Sequence, residues 1–207
     1  MLSKDKADFI KNNLNILIPA PKCELNYNSN FELLVAVILS AQCTDKRVNL
    51  VTSELFKKYN TPEQFASLSQ EELEKEIHSC GFYRNKAKSI IYASREIIER
   101  FNGEVPKDFD DLCSLRGVGR KTANVMLSEA FGQDAFAVDT HVLRISNRLN
   151  IANTDNPNLC EKELRKTFDK KDWSRLHYQM VLFGRYTCKA LKPKCENCIF
   201  FDLCNKK

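Results

Sequence analysis

The fold is decided by residues 115–124, which read Leu115-Arg116-Gly117-Val118-Gly119-Arg120-Lys121-Thr122-Ala123-Asn124. Because glycine adopts positive φ at little steric cost, two glycines on either side of one valine predict a tight turn. The apolar run that follows predicts a helix, with Gly132 in the position of a left-handed cap. The preceding residues 109–115 predict another short helix. The product is helix, hairpin, helix, and the backbone N–H groups that open the second helix suit a phosphate.

Lys121 falls in the first turn of the second predicted helix. The positive end of the helix dipole opposes a further positive charge there, which favours the neutral amine. A neutral amine beside a bound DNA backbone is a nucleophile suited to imine chemistry at a sugar carbon. The alternative is a phosphate-binding lysine that stays charged, and the lysine alone favours that alternative, since surface lysines usually stay solvated.

Nine cysteines are present, and four of them form the pattern Cys188-x6-Cys195-x2-Cys198-x5-Cys204. Soft thiolates at this density bind either Zn²⁺ or an iron–sulfur cluster. Zinc ribbons usually have two Cys-x-x-Cys pairs, whereas this loop has one, so the spacing favours a cluster. The chain carries no secretory signal, so disulfides are not expected. We predict that the other five are small buried hydrophobic residues: Cys23, Cys43, Cys80, Cys113 and Cys160.

The composition is that of a globular protein, with 43% hydrophobic and 29% charged residues in 207. This length suits one large domain or two small ones. No segment approaches a membrane span, and residues 1–8 resemble neither a signal nor a transit peptide, so we expect a cytoplasmic protein. The net charge is +5, and residues 181–207 hold six basic against two acidic side chains. A basic end beside a phosphate-binding hairpin favours a polyanionic partner.

Helical signals run along the whole chain, and no segment predicts a strand convincingly. Residues 31–39 are apolar on nearly every side, which predicts a buried central helix. Capping residues precede several of the predicted helices. The sequence therefore predicts an all-α protein of about ten helices. The capping residues are Ser3, Ser29 or Asn30, Thr44 or Asp45, Thr61 and Ser69.

The hairpin and the segment Val138-Asp139-Thr140-His141 resemble the endonuclease III family of DNA glycosylases. In that family a lysine at the place of Lys121 is the catalytic nucleophile, and an aspartate eighteen residues later, here Asp139, is its partner. The cysteine spacing matches the family's [4Fe–4S] loop at every interval, which makes the cluster the predicted cofactor. Arg116 departs from the family, which commonly has proline there. That change would either loosen the hairpin entry or add a phosphate contact.

The resemblance implies a two-lobed helix-hairpin-helix glycosylase fold. A six-helix barrel lobe would span 23–133, and residues 1–22 with 134–207 would form a second lobe carrying the iron–sulfur loop. Double-stranded DNA with a damaged base or an abasic site would lie across the cleft between the lobes, with Lys121 and Asp139 at its mouth. We expect a monomer, associated with the nucleoid if the source is bacterial.

Further DNA contacts are implied along the same surface. The hairpin residues Gly117, Val118, Gly119 and Arg120 would meet a phosphate. Two more residues, Gln42 and Phe82, lie in turns where family members insert a glutamine and an apolar residue into the duplex, although ordinary loop packing is the alternative for both. The basic residues of the cysteine loop would face the DNA backbone, namely Lys189, Lys192 and Lys194.

The predicted function is a base-excision DNA glycosylase with abasic-site lyase activity, acting on oxidised or ring-damaged pyrimidines. The family's adenine glycosylase branch lacks the lysine and carries an extra C-terminal domain, so Lys121 and a chain that ends soon after Cys204 argue against it. A mismatch-specific thymine glycosylase stays open. A non-catalytic DNA-binding iron–sulfur protein is the rival from another class, and the Lys121–Asp139 pair disfavours it.

Overall fold

The structure is a computed structural model that describes residues 2–205, and within that range it contains helices and no strand. The all-α prediction is confirmed. Two short 3-10 helices, Lys170–Asp172 and Phe201–Leu203, accompany the α-helices. The α-helices are α1 (Lys4–Leu17), α2 (Asn30–Ser40), α3 (Asp45–Lys58), α4 (Pro62–Ser67), α5 (Gln70–Ile77), α6 (Tyr83–Phe101), α7 (Phe109–Ser114), α8 (Arg120–Glu129), α9 (Thr140–Arg148), α10 (Pro157–Thr167) and α11 (Trp173–Tyr186).

The chain divides into two compact units. One comprises Glu24–Gly132, and the other comprises Met1–Cys23 together with Gln133–Lys207. Each unit has its own helices and its own apolar core, so each is described by itself.

The Glu24–Gly132 unit is built around α2. Every residue from Phe31 to Leu39 is buried, as expected for a helix that is apolar on all sides. Helices α3, α6 and α8 pack against it. Side-chain caps define the beginnings of α2 and α3: Ser29 accepts from the backbone N–H of Glu32, and Thr44 from that of Arg47.

Helix α6 is the longest helix of this unit and contacts α4 and α5. Each of those two short helices begins with a capping box, Thr61 with Gln64 and Ser69 with Glu72. The helix ends at Phe101, and its C-cap residue Asn102 has a φ of 52° in the left-handed region. The predicted capping residues Thr61 and Ser69 are therefore confirmed.

The second unit has a core contributed by α1, α9, α10 and α11, with the cysteine loop packed against it. Ile10, Phe136, Met180 and Phe200 are completely buried in this core. Phe200 belongs to the cysteine loop and meets the ring of Phe183 edge-on, with ring centroids 5.3 Å apart. An apolar anchor therefore ties the loop to the helices.

Two of the predictions need correction. Ser3 precedes α1 as predicted, but its side chain makes no capping hydrogen bond. Of the scattered cysteines, Cys80 and Cys160 are buried, whereas the others are only half-buried because they lie in loops or on the outward faces of short helices. None of the described helices combines the length and the apolarity needed to cross a membrane.

Candidate functional site

The hairpin between α7 and α8 is anchored by two apolar side chains. Leu115 and Val118 are buried, while Gly117 and Gly119 are exposed. Gly117 has φ +82°, and a Cβ added to it would lie 2.6 Å from the Cβ of Ser89. Both backbone conformation and close packing therefore require glycine at this position.

Gly119 is different, because its φ of −96° is available to any residue. A Cβ added there would meet nothing within 4 Å. The expectation that both glycines use positive φ is thus correct for Gly117 and wrong for Gly119. In the protein alone, the surface over Gly119 is open, which leaves room for a close-lying ligand.

Arg116 explains how the chain manages without the proline common at this place. Its backbone N–H, which proline would lack, donates to Oε2 of Glu96 at 2.8 Å. Its guanidinium lies over the ring of Tyr92, 4.5 Å from the centroid. Both contacts tie the hairpin entry to α6, so this substitution does not loosen it.

Helix α8 begins at Arg120 with Gly119 as its N-cap residue, and no side chain caps it. Uncapped first-turn amides and the positive end of the dipole are the features that bind anions. Lys121 lies in this first turn and is exposed to solvent. The helix ends at Glu129, and Gly132, with φ +61°, follows shortly after it in the predicted left-handed conformation.

Asp139 lies in the other unit, at the N-terminus of α9. Its Oδ1 accepts a hydrogen bond from the backbone N–H of Val142 at 2.8 Å. The residue is half-buried, and Val138 before it and Val142 after it are buried in the core. The carboxylate is therefore held in place on both sides by apolar anchors and by its capping bond.

The two predicted DNA-inserting residues share an unusual backbone. Gln42 has φ 51° and Phe82 has φ 57°, both in the left-handed region that residues other than glycine rarely adopt. Each such conformation costs about 1–2 kcal/mol. Strained residues of this kind are concentrated at functional sites.

The turns that carry these residues are neighbours in the structure. A Cβ added to Gly81 would lie 3.3 Å from the carbonyl oxygen of Gln42. Gln42 is exposed, and Phe82 is 63% exposed, so neither side chain is packed in the core. The alternative of ordinary loop packing is therefore disfavoured for both.

The C-terminal loop brings the four clustered cysteines around one cavity of about 160 Å³. Four thiolates around a cluster of several iron and sulfur atoms lie farther apart than four around one ion, so a shared cavity fits the cluster better than zinc. Its cysteine lining comprises Cys188, Cys195, Cys198 and Cys204.

The electrostatics of this cavity also fit a cationic iron core. Burial raises the pKa of the Cys198 and Cys204 thiols, and the neighbouring cysteines raise it further by Coulomb repulsion between thiolates. Four unscreened thiolates would repel one another, and iron bound between them would offset that repulsion. These residues are therefore suited to hold the cluster.

Two arginines of α9 that the sequence did not single out hold this loop. Nη1 of Arg148 donates to Sγ of Cys188 at 3.1 Å and to the Lys189 carbonyl at 2.8 Å. Arg144 donates to the carbonyls of Cys188 and Gly184. Burial, followed by the charge of Arg148, lowers the pKa of Arg144. The sequence feature that could have revealed them is the i, i+4 spacing of the two arginines, which places both on one face of α9.

The basic side chains of the loop point to its exterior. Lys189, Lys192 and Lys194 are all exposed. The backbone of Lys189 is fixed by the Arg148 hydrogen bond, and Lys192 has φ 51°. The loop thus presents a positive surface on a backbone held by α9.

Comparison with known proteins decides the family. Residues 35–170 match the HhH-GPD superfamily of base excision DNA repair proteins, and residues 188–204 match the iron–sulfur binding domain of endonuclease III. The endonuclease III of Bacillus subtilis is 49% identical over 207 residues, which cover 100% of this chain and 94% of the relative. This chain belongs to the endonuclease III family. Its cofactor is a [4Fe–4S] cluster.

Other comparisons agree. The endonuclease III of Escherichia coli K12 is 46% identical over 189 residues, covering 91% of this chain and 90% of its own. A solved structure of a non-covalent endonuclease III–DNA complex is 48% identical, with a TM-score of 0.96 over 99% of this chain and 96% of that one. A thermostable thymine-DNA glycosylase, at 22% identity and a TM-score of 0.83, shares the fold. The high identities to endonuclease III do not favour the mismatch-specific alternative.

Proposed function

We propose that this protein releases oxidised pyrimidines from double-stranded DNA through an imine on Lys121. The protein is a base-excision DNA glycosylase with abasic-site lyase activity, and its partner is DNA that contains damaged bases or abasic sites. The choice of damaged base and the roles of individual residues are the parts that we propose. The observation that carries them is the exposed amine of Lys121 in the uncapped first turn of α8.

The reaction begins with base flipping, because the sugar carbon of a stacked nucleotide cannot be reached inside the duplex. Gln42 and Phe82, exposed at the tips of neighbouring turns, would enter the space that the base leaves. Their left-handed backbone directs both side chains outward at the cost of local strain. Stacking of the Phe82 ring on a neighbouring base is worth about 1–3 kcal/mol.

The hairpin positions the strand. The amides at the start of α8 would bind a phosphate beside the abasic sugar, which fixes the register of the duplex without reading sequence. The open surface over Gly119 allows the phosphate to approach the backbone closely. Lys189, Lys192 and Lys194 would add backbone contacts from the cysteine loop.

In the chemical step, the amine of Lys121 attacks C1′ of the sugar, and the damaged base leaves with the bond's electron pair. Asp139 assists by accepting the amine's proton and by stabilising positive charge that develops on the sugar. The C1′–O4′ bond then breaks, O4′ takes a proton as the sugar ring opens, and C1′ forms an imine with Lys121. Loss of a C2′ proton and of the 3′ phosphate by β-elimination cuts the strand 3′ to the sugar. The [4Fe–4S] cluster, held by Cys188, Cys195, Cys198 and Cys204, supplies structural support for the loop and takes no part in these steps.

The assignment of chain segments to two lobes is part of this proposal. We propose a barrel lobe over 23–133 and a second lobe over 1–22 and 134–207, and the two compact units of the chain support it. We also propose that the protein acts in the cytoplasm, on the nucleoid of a bacterial cell. The relatives compared above come from bacteria, in which the DNA substrate lies there.

Borohydride trapping tests the mechanism. Reduction of the imine during turnover should cross-link the wild-type protein to a duplex with one oxidised pyrimidine, and Lys121→Gln should give neither cross-link nor strand cut while retaining most of its binding. Lys162→Gln, an exposed lysine of α10, is the control and should behave as wild type. Full trapping by Lys121→Gln would contradict the assignment. A panel of single-lesion duplexes tests the choice of base.

A further inference from the structure

The two turns that carry Gln42 and Phe82 are each flanked by a cysteine. Cys43 directly follows Gln42, and Cys80 lies two residues before Phe82. A Cβ added to Gly81 would lie 3.3 Å from the carbonyl oxygen of Gln42, so the backbones of the two turns lie side by side. Two chain segments far apart in sequence therefore meet with a thiol on each side.

The two thiols are partners of each other. The side chains of Cys80 and Cys43 are close enough to interact with each other. Cys80 is completely buried and Cys43 is half-buried, so solvent reaches the pair from the Cys43 side. A half-accessible thiol in front of a buried second thiol is the arrangement of an attacking and a resolving cysteine.

A buried cation lies near the two thiols. The side chain of Lys86 is 6% exposed, and its Nζ donates to the carbonyl of Leu39, at the end of α2, at 2.8 Å. Burial and the neighbouring Cys43 raise the pKa of the Cys80 thiol, and the charge of Lys86 opposes that rise. Arg47 adds a second positive charge in the same sense. The two cations thus reduce, without cancelling, the cost of ionising the buried Cys80 thiol.

We propose that Cys43 and Cys80 are a redox-sensitive thiol pair whose disulfide links the two duplex-inserting turns and lowers base excision. The consequence for excision rests on the proposed insertion of Gln42 and Phe82. Formation of the disulfide is independent of that insertion.

The oxidant is a low-molecular-weight disulfide. The Cys43 thiolate attacks one of its sulfurs, forms a mixed disulfide and releases one thiol. The Cys80 thiolate then attacks the Cys43 sulfur and expels the second thiol. Two electrons pass from the cysteine pair to the oxidant, and the two protons that leave the cysteines end on the released thiols.

The new bond restrains the turns because a disulfide holds its Cα atoms about 5.5–6 Å apart. Entry into a duplex requires the Gln42 and Phe82 turns to adjust around the displaced base pair. A covalent tie beside both residues opposes that adjustment, while it closes a long loop and so stabilises the folded protein.

The experiment uses holoprotein with its cluster intact, incubated with oxidised glutathione and then acid-quenched, alkylated and mapped by mass spectrometry without reduction. The visible absorbance of the cluster is followed throughout. We expect a cross-linked peptide pair containing Cys43 and Cys80, a higher Tm, and a several-fold loss of excision that dithiothreitol reverses. Cys43→Ser and Cys80→Ala should show none of these changes, whereas Cys113→Ser should still form the bond.

Two results would overturn the proposal. Recovery of both cysteines as alkylated thiols, or of glutathione retained on Cys43, would exclude the disulfide. A mapped disulfide with unchanged excision would exclude its control of activity. Failure of the proposed function would appear separately, as loss of Lys121-dependent trapping by the fully reduced protein.

Discussion

Asp139 uses Oδ1 to accept the backbone N–H of Val142 at 2.8 Å, and within residues 2–205 its Oδ2 makes no hydrogen bond. The residue therefore caps α9 with one oxygen and leaves the other available. Capping and catalysis are compatible roles here, because each needs only one of the two oxygens.

Replacing Asp139 with asparagine separates the two roles. Asparagine caps helices as well as aspartate does, so Tm should change by little. It cannot accept a proton or stabilise positive charge as a carboxylate does, so base release should slow by orders of magnitude. Single-turnover excision kinetics and thermal unfolding measure the two effects. Near-normal excision by Asp139→Asn would reduce this residue to a cap.

The two hairpin glycines should respond differently to alanine. Gly117→Ala adds a Cβ 2.6 Å from that of Ser89 at φ +82°, so we expect a loss of about 1–3 kcal/mol in the free energy of unfolding. Gly119→Ala meets nothing within 4 Å, so it should cost at most about 1 kcal/mol. Its effect should appear as weaker binding to abasic-site DNA, measured by fluorescence anisotropy. Unchanged affinity in Gly119→Ala would refute close phosphate approach.

The cysteine loop should contain iron and labile sulfide. Purified protein should be yellow-brown, with about four iron atoms per chain by colorimetric analysis. Cys195→Ser removes one wall of the cavity that all four cysteines line, and should lose most of the iron. Cys160→Ser, buried in the same unit, should keep it. Stoichiometric zinc without sulfide would contradict the cluster.

Arg148 should protect the cluster. Arg148→Met loses the bonds to the Cys188 sulfur and to the carbonyls of Lys189 and Ala190, which frees the beginning of the loop. We expect the visible absorbance to bleach several-fold faster in air. Arg175→Met, which loses a single bond to the Pro19 carbonyl in the same unit, is the matched control. Equal bleaching rates would show that the Arg148 bonds do not protect the cluster.

Cys80 should make stability depend on alkaline pH. Burial, with Cys43 adding to it, raises the pKa of this thiol from 9.0 to about 11. A pKa raised by folding means that the stabilisation is complete below pH 9 and is lost as the pH rises to about 11. Wild type should therefore lose roughly 2 kcal/mol relative to Cys80→Ala across that interval, measured by denaturant unfolding. Parallel curves for the two proteins would contradict this pKa.

The sequence by itself determined the elements whose signals are local. Ser29, Thr61 and Ser69 each accept from the amide three residues further on, so these caps and the helices after them can be predicted without any tertiary contact. The same holds for the hairpin glycine Gly117 and for the spacing of the four loop cysteines, which is a property of one short segment. These features carry the family, the cofactor and the candidate nucleophile.

Only the tertiary structure decided what depends on residues far apart in the chain. The hydrogen bond from Arg148 to Cys188 joins positions 40 residues apart, and the contact between Cys43 and Cys80 joins two separate turns. Whether Phe82 packs or projects is likewise decided by its neighbours. Residue type and local spacing do not specify which distant segments contact each other, because burial and packing depend on the whole core.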